Sequence, residues 1–266
     1  MSSTSPQVIA HRGYAADNPE NTVAAMRAAA ADDRTDAVEI DARLTADDRV
    51  IVFHDDDLTR LTDAPPAVSD TPVWELSYDE ISSYTVGDSD ESIPLLTEVL
   101  AAIPTSIEVN LELKHPGRDG LQFGAVDNDA REAAAGRWQP FVERALDVAT
   151  ATDHELLVSS FYEGALAATR AVAPAVAVAP LVDGVESGLT LAARYDAAAI
   201  HPPVRLLVDG AGETTPAGER LLAESHAANR RVNAWTVTTT QTARALDEAG
   251  VDGLITDTSA AGPSTG

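Results

Sequence analysis

Residues 8–41, VIAHRGYAADNPENTVAAMRAAAADDRTDAVEID, decide how this chain is built. A short apolar run, Val8-Ile9-Ala10, ends in His11-Arg12-Gly13. Asn18-Pro19-Glu20-Asn21-Thr22 then opens an alanine-rich helical segment from about Thr22 to Ala31, and a second apolar run follows at 38–41. Apolar strands joined through an amphipathic helix predict parallel pairing in a sheet. The alternation continues outward from this unit. Further strands are predicted at 106–113, 156–158, 176–181, 195–200, 231–235 and 253–255. Helices are predicted to end near Ala102 and to span about 130–150, 164–172 and 240–249. Eight such strands in one chain fit the α/β class as a (β/α)8 barrel, the TIM-barrel architecture.

The second strand runs into an excursion, VEIDARLTADDRVIVFHD at 38–55. Glu39 and Asp41 are two residues apart, so both side chains leave the same face of a strand. The turn at 45–49 and the apolar run 50–53 predict a hairpin that extends strand two and returns His54 nearly opposite Asp41. Taken alone, an E-x-D pair is ordinary surface decoration and His-Asp a common dipeptide. The rest of the chain weighs against that reading. Polar residues collect just past strand ends, where barrels of this kind keep their active sites. They include His11, Arg12, Glu112, Lys114, Ser159, Trp235 and Asp257. Glu112 and Lys114 repeat the two-residue spacing on the neighbouring strand. Glu39, Asp41 and Glu112 would then meet as three hard oxygen ligands, suited to Mg²⁺, Ca²⁺ or Mn²⁺ and not to zinc. Two imidazoles, His11 and His54, can serve as acid and base beside such a cation. Arg12 and Lys114 would supply positive charge for phosphoryl oxygens.

Composition narrows the function further. The net charge is −25, with 43 acidic residues against 17 arginines and a single lysine, Lys114. The acids are scattered rather than blocked, a pattern favoured by a high-salt cytoplasm, where screening removes self-repulsion. Such a charge argues against nucleic acid or an anionic membrane as partner. Cysteine is absent, which excludes a disulfide framework, a thiol nucleophile and a cysteine-held metal. The start, MSSTSPQVIAHRG, has neither a basic nor an apolar leader region, and no apolar run is long enough to span a bilayer. A cytoplasmic location and a single domain, 1–266, are therefore expected. The barrel would occupy about 6–260, the irregular stretch 55–91 would form a small insertion over the C-terminal face, and a disordered tail would start at about 258.

HRG, PENT, EIDARLTADDRVIVFHDDDLTRLTD, IPLLTEVL, NLELK, SSF, AWTV and GVDGLITD occur here in that order. The set resembles the glycerophosphodiester phosphodiesterase family over nearly the whole chain, about Val8 to Asp257. The resemblance implies a (β/α)8 barrel with His11 and His54 as the acid–base pair. It further implies a divalent cation on Glu39, Asp41 and Glu112, and phosphate on Arg12 and Lys114. The implied reaction cleaves small-molecule glycerophosphodiesters to glycerol phosphate and an alcohol, within glycerophospholipid catabolism. Glu20 either lines the pocket from behind these groups or serves helix capping, while Asn21 and Thr22 read as structural. Phe161 and Trp235 either line the pocket or pack the core. Two rivals stand beside this reading. One is a phospholipase D-like or sphingomyelinase D-like lipid enzyme, which needs an exposed apolar lip that is not evident in the sequence. The other is a catalytically silent barrel that binds a phosphorylated metabolite.

Overall fold

A computed structural model describes residues 5–261. The strands are β1 Gln7–His11, β2 Ala37–Leu44, β3 Val50–Val52, β4 Glu108–Leu113, β5 Leu156–Ser160, β6 Ala177–Pro180, β7 Ala199–Ile200, β8 Arg231–Val237 and β9 Gly253–Thr256. The helices are α1 Val23–Ala30, α2 Tyr78–Ile81, α3 Leu96–Ala102, α4 Arg131–Ala149, α5 Glu163–Val172, α6 Val185–Arg194, α7 Val204–Leu207, α8 Pro216–Ala227 and α9 Thr240–Ala249. Eight strands follow the order β6-β5-β4-β2-β1-β9-β8-β7, and β3 pairs off this path with β2. A parallel bridge between Leu181 and His201 joins the two ends, giving a nearly closed (β/α)8 barrel.

The sequence accounts for this arrangement locally. β1, β2, β4 and β8 bury apolar residues on alternate positions against the helical layer, and one large cluster joins all eight barrel strands to α1 and α3–α9. Thr22 caps α1 by accepting from the Ala25 amide at 3.1 Å, the expected role of a helix-start threonine. The hairpin β2–β3 carries a second, smaller core. Ile51 and Phe53 pack with Leu58, Val73, Leu76 and Ile81, and this cluster holds the insertion at 55–91 over the mouth of the barrel.

Parallel register then sets the site. His11 lies beside Glu39, Asp41 beside Glu112, and Glu112 beside Ser159. Ala10 pairs with Thr256, which brings the next residues on each strand, His11 and Asp257, together.

Two expectations need correction, the sixth strand and the tail. The strand predicted at 195–200 is only Ala199–Ile200. Tyr195 instead closes α6, its amide bonding the Leu191 carbonyl, and Asp196 takes a left-handed φ of 44° that breaks any extended run. The hairpin itself forms as expected and returns His54 to the position next to the one opposite Asp41. Ala42 pairs with Val52, so the Asp41 carbonyl accepts from Phe53 and not from His54. The tail expected to be disordered from 258 begins with an ordered turn, Ser259–Ala261, with Ala261 buried and Thr258 bonded to Asp17 at 3.0 Å. The remainder of that expectation, 262–266, lies outside the described residues.

Candidate active site

At the C-terminal mouth of the barrel lies a pocket of about 90 Å³, lined among others by His11, Arg12, Glu39, His54, Glu112 and Lys114. β2 and β4 deliver Glu39, Asp41 and Glu112, all buried, with one carboxylate oxygen from each within 4.8 Å of the others. Glu39 Oε1 and Asp41 Oδ1 have no hydrogen-bond partner. Three close, hard carboxylate oxygens from three side chains, two of which carry an oxygen without a hydrogen bond, suit a hard divalent cation.

The cations are placed against the same acids. Arg12 Nε stands 3.2 Å from Asp41 Oδ2, and Lys114 Nζ stands 3.3 Å from Asp41 Oδ1 and donates to Glu112 Oε1 at 2.8 Å. Burial by itself would raise the pKa of Asp41, but the Lys114 and Arg12 charges outweigh it and hold the carboxyl far below its usual range. Glu39 is pushed the other way, well above the usual carboxylate range, by burial and then by the neighbouring Asp41 and Glu112 charges. The two carboxylates sit on one strand face yet differ because the cations touch only one of them.

Each histidine is held by its own carboxylate. His11 Nδ1 bonds Asp257 Oδ1 at 2.5 Å, and its Nε2 lies 3.8 Å from Glu39 Oε2. His54 Nδ1 bonds Asp55 Oδ1 at 2.6 Å. Both rings therefore keep Nδ1 occupied and leave Nε2 as the nitrogen available for proton exchange. Buried Arg43 ties the mouth together by donating to the His54 carbonyl at 2.6 and 2.9 Å and to the His115 carbonyl at 3.2 Å.

The loop after β1 carries backbone strain at this same place. Arg12, Tyr14 and Asn21 have φ of 52°, 65° and 61°, conformations costly for residues other than glycine. At Gly13, with φ of 76°, a Cβ would come within 2.9 Å of the Ala25 backbone, so the loop passes too close to α1 for any side chain.

Several residues take roles other than those expected. Glu20 does not line the pocket. It braces Arg12 from behind at 2.8 Å and binds Arg60 at 3.0 Å, while Thr22 does the capping. Asn21, read as structural, donates to Asp41 Oδ2 at 2.8 Å and accepts from the Asp41 amide at 3.3 Å, and so fixes that carboxylate. Asp55 and Arg60 add a pair the sequence pattern does not point to, with Arg60 clasping Asp55 at 2.7 Å. The HD dipeptide and the Arg six residues after His54 were the available signals, but only the folded hairpin joins them to Glu20. Phe161 and Trp235 do line the pocket and meet edge to face at 5.4 Å, and the Trp235 indole donates to the His201 carbonyl at 2.8 Å.

A parallel barrel with carboxylates, imidazoles and cations converging at its C-terminal mouth defines a class of enzymes that act on phosphate esters. Residues 11–261 match the model of the Glycerophosphoryl diester phosphodiesterase family, and the chain belongs to that family. It is 28% identical over 255 residues to a glycerophosphodiester phosphodiesterase of Bacillus altitudinis, covering 94% of each chain. The same identity holds over 262 residues with one from Caldanaerobacter subterraneus subsp. tengcongensis, covering 94% of this chain and 93% of the relative. An Oleispira antarctica phosphodiesterase, solved with the product sn-glycerol-3-phosphate, superposes with a TM-score of 0.76 at 27% identity, over 95% of this chain and 93% of that one.

Proposed function

We propose that this enzyme hydrolyses glycerophosphodiesters to glycerol phosphate and an alcohol, using His11 and His54 as the proton-transfer pair. The observation that carries this reading is that both histidines, each held at Nδ1 by a carboxylate, border one pocket with three close carboxylates and two cations. Glu39, Asp41 and Glu112 would hold one divalent cation, Mg²⁺, Ca²⁺ or Mn²⁺. When bound, the cation would supply charge stabilisation for the phosphoryl oxygens.

The chain's own residues account for the remaining steps. Arg12 and Lys114 bind the phosphoryl oxygens, and Lys114 Nζ, with one donor on Glu112, keeps others to offer. Nε2 of one histidine takes the proton from the attacking hydroxyl as its oxygen bonds to phosphorus. Nε2–H of the other protonates the departing alkoxide as the P–O bond to the alcohol breaks; water supplies the attacking hydroxyl directly, or opens the cyclic phosphate formed when the neighbouring glycerol hydroxyl attacks first. Asp257 and Asp55 keep the rings oriented and favour the Nδ1–H tautomer. Phe161 and Trp235 line the pocket beside the reacting centre and offer it two aromatic walls.

The test is release of glycerol phosphate from glycerophosphocholine and glycerophosphoethanolamine at high salt. EDTA should abolish turnover, and Mg²⁺, Ca²⁺ or Mn²⁺ should restore it. His11→Ala and His54→Ala should each lose at least about 10²-fold in kcat with folding intact. Full activity in either variant, or in EDTA, would overturn the corresponding assignment.

A further inference from the structure

Beside the catalytic pocket runs a second groove of about 370 Å³ that shares His54, Glu112, Lys114 and Phe161 with it. Its other walls are aromatic and form a continuous chain of ring contacts. Trp74 meets His115 at 5.6 Å, His115 meets Tyr162 at 5.7 Å, Tyr162 meets Phe123 at 5.5 Å, and Phe123 stacks on Phe161 at 5.1 Å. Phe123 stands at the rim and is 56% exposed, the one large exposed hydrophobic side chain among the described residues. Joined to the four rings behind it, Phe123 makes the rim of one contiguous aromatic surface around the groove, the kind of surface that marks a ligand site.

The loop that carries Phe123 is anchored at both ends. Gly124 N donates to the Phe161 carbonyl at 2.9 Å, Glu163 N donates to the Gly124 carbonyl at 3.2 Å, and Val126 N donates to Glu163 Oε2 at 2.6 Å. At the other end Gly117, with φ of 72°, lies so close to the Trp74 indole that a Cβ would sit 2.0 Å from its Cγ. The ring is therefore held over the groove by the fold.

The charges along the groove cancel. Arg43 pairs with Asp56 at 2.7 Å and Lys114 with Glu112 at 2.8 Å, which leaves no unpaired carboxylate in the lining to hold a cationic headgroup. Burial also keeps the His115 ring toward its neutral form. What the groove offers, immediately beside the proton-transfer pair, is uncharged aromatic surface.

We propose that this groove, walled by Trp74, His115, Phe123, Phe161 and Tyr162, binds the alcohol part of the diester and selects alcohols that carry a hydrocarbon chain. The inference rests on the reaction proposed above and names the substrate class for that same site. It also supplies the apolar lip that was not evident in the sequence, because five rings from three separate segments meet only in the folded chain.

The test is a series of glycerol phosphate diesters of ethanol, butanol, hexanol and octanol, used below their micelle-forming concentrations. Each methylene that enters the groove should raise kcat/KM about two- to fourfold. The choline diester should be no better than its neutral isostere, the 3,3-dimethylbutyl diester. Phe123→Ala should lower the octyl-to-ethyl ratio of kcat/KM by about five- to tenfold, a ratio that a general loss of activity leaves unmoved. A flat chain-length series would overturn the proposal, as would a clear preference for choline over its isostere. Binding of the same diesters, read by tryptophan fluorescence, reports on the groove separately. Affinity that rises with chain length but no cleavage of any diester would overturn the reaction and leave the groove standing.

Discussion

His201 sits inside the barrel at the end of β7, with no solvent exposure. Asn233 Nδ2 donates to its Nε2 at 3.1 Å, its Nδ1 has no partner, and its carbonyl holds the Trp235 indole at the pocket wall. Burial, with a smaller contribution from the charge of Arg231, lowers its pKa from 6.5 to about 3. The folded protein therefore keeps this ring neutral where the unfolded chain protonates it. Between pH 6.5 and about 3 the unfolded state binds more protons, so stability is complete above pH 6.5 and falls as the solution is acidified. At pH 5 the unfolded imidazole is about 97% protonated, and linkage costs the native state about 2 kcal/mol relative to pH 7.5. The perturbation is His201→Asn, which removes the titration but leaves a polar side chain. The assay is urea unfolding of both proteins at pH 7.5, 6, 5.5 and 5 in high salt. Salt screens the many surface carboxylates and leaves a buried site largely unaffected. The wild type should lose about 2 kcal/mol more than the variant over that range, whatever the absolute stability of the variant. Parallel curves for the two proteins would refute the reasoning and show that water or a counter-charge reaches the ring.

Two further perturbations separate orientation from stability. Asp257→Asn keeps the shape of the side chain bonded to His11 but removes its charge, and should lower kcat about 10²–10³-fold with KM changed less than about threefold. A loss confined to KM would show that Asp257 acts on binding instead. Glu163 is fully buried and accepts from Arg131, Arg194, Tyr195 and the Val126 amide at 2.6–2.9 Å. Burial would raise its pKa, yet these donors together lower it, so its stabilisation is present above the ordinary carboxylate pKa and is lost as pH falls through the lower folded value. Glu163→Gln should cost about 2 kcal/mol at neutral pH, read as a Tm lower by about 4–8 °C, and should flatten the acid limb of the stability curve. An unchanged Tm would remove this cluster as the anchor of the Phe123 loop.

What the sequence determined by itself is what short-range periodicity encodes. Apolar strands alternating with helices specified parallel pairing, and parallel pairing placed residues such as Glu39, Asp41 and Glu112 at one end of a barrel. The two-residue spacing of Glu39 with Asp41, and of Glu112 with Lys114, is a property of any strand, so it was legible before folding. Only the tertiary structure decided what those groups touch. Asp257 is 246 residues from His11 and meets it because β1 pairs with β9. Asn21 reaches Asp41 because a left-handed turn swings it back over the second strand. Glu20 stands behind Arg12, where Arg60, carried in on the insertion, also binds it. The aromatic groove was hidden for the same reason, since its rings come from the insertion, the loop after β4 and the end of β5. Backbone geometry within a strand repeats every two residues and can be counted, whereas contacts between distant segments depend on how separate elements pack, and no local pattern records them.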